Sequence, residues 1–523
     1  MNRLHGLGGC AICLATCWAL LCACLPHTVT ALTDTAQPGD NLASAAQSEV
    51  AAVELEPTGQ AAARVRVALP PQWLAAVRTA LDESDGPWRS IRWILSGRVD
   101  PRWDELSGQA NLWLVTGEEG LFIARRSLAL AVPLTNPLEG VDLDEAMRIL
   151  REGSPGVEIV DWAALPAMHK ALRVDGLHPA DAGYPLQQVW SLVFAPGYRG
   201  PAEALAPLLR AVLADTQVLH LAAVGDLVLD RNLGAALTVG RPGFPFGAVQ
   251  PILGAADLAI GNLECAIGDT GSAQQGKGYL FLAPPQAVPA LAEAGFDILS
   301  LANNHAMDYG VQALEWARDA LNRAGVRTVG AGGNAAQAHA PLIEEVNGLR
   351  LAFLAYVDVP DESGGFSIRS WIAEEDTPGM ALADAQQMTA DIRAARDAAD
   401  LVVVLLHSGK ENRSTPDAAQ VAAAHAAIDA GAHLVLGHHP HTLQGIEFYK
   451  QGVIAYSLGN FAFAQPGIWE SLILHVWLDG GGVREVEILP VVIQADGSPR
   501  PCVGAECRVI AQSIYALTES LNP

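Results

Sequence analysis

The sequence predicts an α/β protein, and two observations carry that prediction. First, five short apolar runs in the second half each finish on residues able to bind a metal. His220 to Val224 runs into Gly225 and Asp226, Asp257 to Ile260 into Gly261, Asn262, Leu263 and Glu264, and Ile298 to Ala302 into Asn303, Asn304 and His305. Leu401 to Leu406 runs into His407, and His433 to Leu436 into Gly437, His438, His439, Pro440 and His441. Continuous apolar runs of this length, bounded by Gly and polar residues, describe strands buried on both faces. In open α/β sheets such strands deliver functional groups past their carboxyl ends. Second, these runs alternate with amphipathic helical segments.

In chain order, the amino terminus comes first. Arg3 gives a weak positive start, Leu7 to Leu25 is uncharged and apolar, and Pro26 ends it, so residues 1–26 read as an export leader. Leu21-Cys22-Ala23-Cys24 resembles the lipobox of bacterial lipoproteins, which makes Cys24 the acylated residue and places the protein outside the cytoplasm, anchored to the membrane. Cys22 departs from the small residue usual at its place, and the alternatives are secretion or an uncleaved anchor helix. Five of the eight cysteines lie in this leader. Of the rest, Cys502 and Cys507 are plausible disulfide partners in an oxidising compartment, and Cys265 reads as a small buried residue.

Residues 27–60, rich in Ala, Gln, Ser, Thr and acids, read as a flexible tether. Residues 61–216 read as an α/β accessory domain rich in Trp. It contains a strand at 128–134, a turn at Thr135 to Gly140, a helix opened by Asp142 that carries Met147, Ile149 and Leu150, and a strand at 189–193. The succession of strand, Asn136-Pro137 turn, helix ending at Gly153, Trp162 and Tyr184-Pro185-Leu186 resembles one lobe of a periplasmic solute-binding protein. An unspecialised accessory domain is the other reading.

Residues 217–493 read as the main domain and 494–523 as a carboxyl-terminal tail. Helices are predicted at 311–324, with Leu314, Ala317 and Leu321 on one face and Gly325 beyond its end, at 381–399, and at 417–430, closed by Gly431. At 523 residues and 50% hydrophobic content, two or three packed cores are available. The formal net charge of −25 argues against nucleic-acid binding, which rests on Lys and Arg.

The strand endings, with His407-Ser408-Gly409-Lys410-Glu411 and Tyr456-Ser457-Leu458-Gly459-Asn460-Phe461, resemble the CapA family of bacterial capsule or poly-γ-glutamate synthesis proteins over Val218 to about Val492. The resemblance implies a calcineurin-like metallophosphoesterase fold, an α/β/β/α sandwich. It also implies a site holding one or two divalent ions (manganese, iron or zinc), with Asp226, Glu264, Asn304, His407, His439 and His441 as ligands. By analogy, His305 would be the general acid. Glu411 and Asn262 are assigned to the substrate or to support of the ligands. His438 reads as solvated, Asn303 as a turn amide, and Asp308 as fixing the start of the following helix.

Two departures weaken the phosphoesterase pattern. Val228 stands where an Asp-x-His pair would place an imidazole, and Glu264 stands where an Asp is usual. Three functions stay open: a metal-dependent hydrolase or transferase of surface-polymer biosynthesis, a non-catalytic accessory gripping the polymer through metal, and an oxyanion or solute sensor. The expected partners are a cell-surface polymer or its precursor, the membrane, and other capsule-synthesis membrane proteins. A polymer clamp would need a basic groove, and Arg231, Arg241, Lys277 and Arg413 are sparse.

Overall fold

The computed structural model describes residues 53–54, 64–83, 85–86, 92–96, 110–214, 217–241, 243–362 and 364–522. The leader, Cys24 and most of the tether lie outside the described residues.

The amino-terminal region forms one sheet from strands β1 (Val53–Glu54), β2 (Arg64–Ala68), β3 (Arg92–Ser96), β4 (Leu112–Thr116), β5 (Leu121–Pro133), β6 (Glu158–Asp161), β7 (His169–Ala171) and β8 (Gln187–Phe194). Their order is β1-β3-β2-β4-β8-β5-β6, with β7 also paired to β5. Helices α1 (Pro71–Glu83) and α3 (Arg199–Leu213) cover it with Val77, Leu81, Leu205 and Leu209. Helix α2 (Leu143–Glu152) begins where predicted, because the Asp142 carboxylate accepts the Glu145 N–H at 2.8 Å.

The remaining strands build two sheets that face each other. One contains β9 (Leu219–Leu227), β10 (Leu258–Leu263), β11 (Ile298–Ser300), β12 (Arg327–Val329), β19 (Asn460–Ala462), β20 (Glu470–Asp479), β21 (Gly482–Ile493) and β22 (Pro499–Pro501), ordered β12-β11-β10-β9-β20-β21-β22 with β19 beside β9. The other contains β13 (Leu342–Val346), β14 (Leu349–Asp358), β15 (Leu401–Ser408), β16 (Leu434–His438), β17 (Ile446–Tyr449) and β18 (Gly452–Ala455), ordered β13-β14-β15-β16-β18-β17.

Alternation along the buried strands sets the layers. Leu351, Phe353, Val403, Leu405, Leu434 and Leu436 point at the partner sheet and share a core with Leu221, Ala223, Leu474 and Val476. The intervening Leu354, Tyr356, Val402, Val404 and Val435 point outward, where they meet Met388, Ile392, Ala424 and Ile428 of helices α7 (Ala385–Ala398) and α8 (Ala418–Ala430). Helices α4 (Arg231–Val239), α5 (Ala287–Ala294) and α6 (Gly310–Arg323) pack with the first sheet through Leu233, Leu291, Leu314 and Leu321. The result is the α/β/β/α sandwich the resemblance implies.

Helix α7 starts four residues later than the apolar pattern suggests. Asp384 caps it by accepting from the Gln386 and Gln387 N–H groups, while Gly379–Met380 pairs as a strand with Ala331–Gly332. Residues 494–522 contribute β22 and helix α9 (Ala505–Leu521), whose first turn is tied back to Cys502 by the Cys502–Cys507 disulfide. The helix closes the open edge of β17: Thr518 accepts the Ile446 N–H at 3.1 Å, and Asn522 bonds the Phe448 N–H and the Ile446 carbonyl.

The amino-terminal region is joined to β20 and β21 by buried charge. Glu485, 2% exposed, accepts from Trp162 Nε1 and the Ala171 N–H at 2.6 Å each, and its carboxylate lies 3.1 Å from His178 Nε2. Arg173 forks onto Glu487 at 2.9 and 2.6 Å. Trp477 is sandwiched by His178 and His220, and His220 meets His475 at 2.8 Å.

Two predictions follow from close packing and from this seam. At Gly437 a Cβ would stand 1.9 Å from the Tyr456 carbonyl oxygen, and at Gly225 2.0 Å from that of Gly459. Gly437→Ala should therefore cost about 3 kcal/mol, whereas Gly200→Ala, in α3 with open space around it, should stabilise by about 0.5 kcal/mol; thermal unfolding of both distinguishes them. The seam should weaken in acid. Burial, with His178 nearby, holds His220 at about 4, and burial, with His220 nearby, holds His475 at about 4. Burial would raise Glu487, but Arg173 outweighs it and holds the carboxyl at about 2. All three bind protons more readily when unfolded, so their stabilisation is full above the ordinary His value of 6.5 and is lost as pH falls, for the imidazoles down to about 4 and for Glu487 from 4.5 to about 2. A His220→Gln/His475→Gln variant should show a flatter melting-temperature profile between pH 6.5 and 4.

Candidate metal centre

The predicted residues converge in the gap between the two facing sheets. Asp226 lies near the end of β9, directly beside Asn460 of β19, and Glu264 follows β10. Asn304 and His305 follow β11, His407 is the penultimate residue of β15, and His439 and His441 follow β16. His407 shares the inward phase of Val403 and Leu405, so it enters the gap from the opposite sheet to Asp226. Gly225 and Gly437, where no side chain fits, let the β9 and β16 ends approach the Leu458–Asn460 loop and β18.

Glu264 is the centre of the arrangement. It is fully buried, and neither carboxylate oxygen accepts a hydrogen bond. His407 Nε2 stands 3.4 Å from one oxygen and His441 Nδ1 3.7 Å from the other. Glu264, His407 and His439 each bring a ligand atom within 4.8 Å of one another, and so do Asp226, Glu264 and His441. Glu264 belongs to both sets, as a bridging carboxylate would. A third set, Glu411 with His439 and His441, lies at the exposed rim.

An amide network orients the ligands. Asn303 donates from Nδ2 to Asn262 Oδ1 at 3.0 Å and to the Leu263 carbonyl at 2.8 Å. The Asn262 amide nitrogen is thereby turned toward Asp226 Oδ1 at 2.8 Å and His407 Nδ1 at 3.2 Å. His407 Nδ1 then accepts, so Nε2 carries the ring proton and donates to Asn304 Oδ1 at 2.7 Å, on the side that faces Glu264. Asn262 therefore supports the ligands, and Asn303, read from sequence as a turn amide, anchors Asn262. His441 Nδ1 lies 2.9 Å from Asn460 Oδ1 and 3.3 Å from Asp226 Oδ2.

The backbone carries strain here. His439 and His441 hold φ of 95° and 60°, in the region L residues rarely occupy. The cost lets two imidazoles turn into one gap while the His439 N–H reaches Asp226 Oδ2 at 3.3 Å.

His438 differs from the sequence expectation of a solvated residue. It is 1% exposed, its Nδ1 is 3.5 Å from Asp226 Oδ1, and neither ring nitrogen makes a hydrogen bond. The signal was available: residues 434, 436 and 438 share the inward phase of β16. Asp308 also differs, since its carboxylate does not cap α6. It holds His305 Nδ1 at 2.7 Å and the Phe281 N–H at 2.7 Å, and it pairs with Lys277 at 3.0 Å. Lys277, noted in the sequence only as a sparse basic residue, is fully buried beside His305. Cys265 is buried and unpaired, and burial pushes its thiol up, so it packs rather than reacts.

The electrostatics suit a cation. Burial, then the Asp226 charge, raise the Glu264 carboxyl well above its ordinary value. Burial would also raise Asp226, but the His441 hydrogen bond and the neighbouring imidazoles hold it low. Burial lowers His438, His407 well below its ordinary range and His439 to about 3, which keeps all three neutral and available as ligands. Burial opposes a proton on His441, yet Glu264 and Asp226 outweigh it and lift the imidazole to about 10. A buried carboxylate without hydrogen bonds, in a pocket that also holds unpartnered ring nitrogens of His438 and His439, fits a divalent ion.

Equilibrium dialysis of the purified chain with manganese, iron or zinc should show saturable binding. Glu264→Ala should abolish it because both ligand sets share that residue, whereas Asn262→Ala, which disturbs only orientation, should weaken it by about 10- to 100-fold.

Residues 220–465 match the family model described as bacterial capsule synthesis protein PGA_cap. The chain is 34% identical over 314 residues to the capsule biosynthesis protein CapA of Bacillus anthracis, covering 58% of this chain and 73% of that one. It is 33% identical over 319 residues to the PGA biosynthesis protein CapA of Bacillus subtilis strain 168, covering 60% and 80%. With this identity and coverage of both relatives, this chain belongs to the CapA family of bacterial capsule synthesis proteins.

Proposed function

We propose that this chain is an exported, membrane-anchored, metal-dependent hydrolase of capsule or poly-γ-glutamate biosynthesis, acting on a phosphoester or a polymer precursor. The observation that carries the reading is Glu264: a buried carboxylate with no hydrogen bond, shared by two ligand sets. Family membership supports the pathway, and the leader with Cys24 supports export and anchoring. The polymer or its precursor, and other capsule-synthesis membrane proteins, are the proposed partners.

Asp226, Glu264, Asn304, His407, His439 and His441, joined by His438, would hold one or two divalent ions. Bound there, a divalent ion polarises a phosphoryl or carbonyl oxygen and makes water a better nucleophile. The chain's own contribution centres on His305, 5% exposed and packed on Phe281. Asp308 accepts from Nδ1 and so supports a protonated ring, from which Nε2 would deliver the proton to a leaving oxygen and return to the neutral imidazole. Burial lowers His305 against the opposing pull of Asp308. Phe281 packs edge-on against Phe463, which in turn meets the His441 ring. Glu411, exposed beside His439 and His441, is positioned to meet substrate at the mouth.

A second reading, a non-catalytic polymer grip, is favoured by Val228. It packs 2% exposed in the core where phosphoesterases carry an imidazole. Chromogenic phosphodiester and phosphomonoester assays on the metal-loaded chain separate the two. In the hydrolase reading His305→Ala keeps its metal while kcat falls by about 10²- to 10⁴-fold, and Asp226→Ala/His439→Ala loses both metal and activity. Stoichiometric metal without turnover on these esters or on poly-γ-glutamate would favour the grip, and a wild-type chain without metal affinity would overturn both.

A further inference from the structure

A separate cleft of about 540 Å³ opens on the other face of the strand that carries His407. Val402, Val404 and Leu406 of β15 face the outer helices, and Ser408 continues that phase. Its register partner Asp358 ends β14 on the same side. Asp361, Arg369, Lys410 and the first turn of α8, from Asp417 to Gln420, complete the lining.

The floor of this cleft has unmet hydrogen bonding. Ser408 is 4% exposed and its hydroxyl has no hydrogen-bond partner. Gln420, 2% exposed, donates from Nε2 to Gln444 Oε1 and the Tyr456 carbonyl at 2.9 Å each, leaving its own Oε1 without a donor. An amide oxygen only accepts, so its complement is an N–H or O–H group. Charge points the same way, since Asp358, Asp361 and Asp417 outnumber Arg369 and Lys410 in the lining. Asp417 spends one oxygen on the Ala419 and Gln420 N–H groups, and Asp358 pairs with Arg369 at 3.1 Å. The rim still presents two exposed cations, Arg369 and Lys410.

A phosphate or a plain dicarboxylate meets only the cations of the rim, and a polyamine meets only the floor acceptors and the acidic side chains of the lining. An α-amino acid unit meets both, because it carries an amine or amide N–H and a carboxylate on one carbon. The geometry points to an α-amino acid subsite in this cleft, with the N–H toward Gln420 and Ser408 and the carboxylate toward Arg369 and Lys410. The cleft has the volume of a small-molecule site. It also connects to the metal centre through a short loop: His407 and Ser408 are adjacent on opposite faces of β15, and Glu411, three residues on, stands beside His439 and His441. The inference goes beyond the hydrolase reading and does not depend on it.

Calorimetric titration of the full chain with L-glutamate, D-glutamate and γ-glutamylglutamate tests it, with glutarate, putrescine and inorganic phosphate as probes that lack one half of the pattern. The expected result is saturable binding of at least one amino-acid probe, tenfold or more tighter than any of the three controls. Ser408→Ala and Arg369→Ala/Lys410→Ala should each weaken it at least tenfold with an unchanged melting temperature. Binding should persist in metal-stripped wild type and in Asp226→Ala/His439→Ala. Equal binding of glutarate or phosphate would make this an anion site and overturn the inference. So would loss of binding on metal removal, or no binding of any amino-acid probe at about 10 mM, a concentration that detects even millimolar affinity.

Discussion

The structure depends on placing a carboxyl group where water cannot reach it. Glu264 sits between two sheets, fully buried, with no hydrogen bond to either oxygen and with Asp226 beside it. Leaving such a carboxylate uncompensated costs several kcal/mol, so the surroundings are arranged around its compensation. Four imidazoles enter from the β15 and β16 side, and amides from Asn262, Asn303, Asn304 and Asn460 fix the orientation of two of them, His407 and His441. The strained φ values of His439 and His441 belong to the same demand, since an extended chain after β16 could not turn both rings into the gap.

The sandwich makes this gap possible. Two sheets of buried strands share one apolar core, and at their carboxyl ends the core gives way to polar ligands. Gly225 and Gly437 allow the backbones to close there, at the strand ends from which the ligands project. The amino-terminal sheet is attached at the opposite side of the first sheet, through Glu485, Glu487 and the Trp477 stack. That seam is charged and buried, a different kind of joint from the apolar core between the facing sheets.

Outside the metal centre, the same strand serves two environments. Successive residues of β15 point to opposite faces, so His407 enters the buried gap while Ser408 lines a separate mixed-charge cleft. Lys277 and Asp308 show a related economy around His305: one carboxylate holds the imidazole, a loop N–H and a buried ammonium together.

Much of this was legible in the sequence. Continuous apolar runs identified the buried strands because both faces are covered, and the residues ending them are the ones that converge, since strands of one layer deliver their ends to one edge. Helix starts at Asp142 and Asp417 followed from local capping, which needs no tertiary information. Other features required the folded chain. The start of α7 at Ala385 was set by an Asp384 cap and a distant strand pair, against a longer Ala-rich pattern. By contrast, His438, read as solvated because it precedes the His-x-His pair, could have been placed by the two-residue phase it shares with Leu434 and Leu436. Asp308 and Lys277 are 31 residues apart, and nothing local joins them. The sequence by itself determined which residues could bind a metal and which segments would be strands, because residue chemistry and hydrophobic period are local properties. Only the tertiary structure decided that Glu264 would lie in both ligand sets and that Glu485 would join the two regions, because burial and charge partnership are set by chains that meet from far apart.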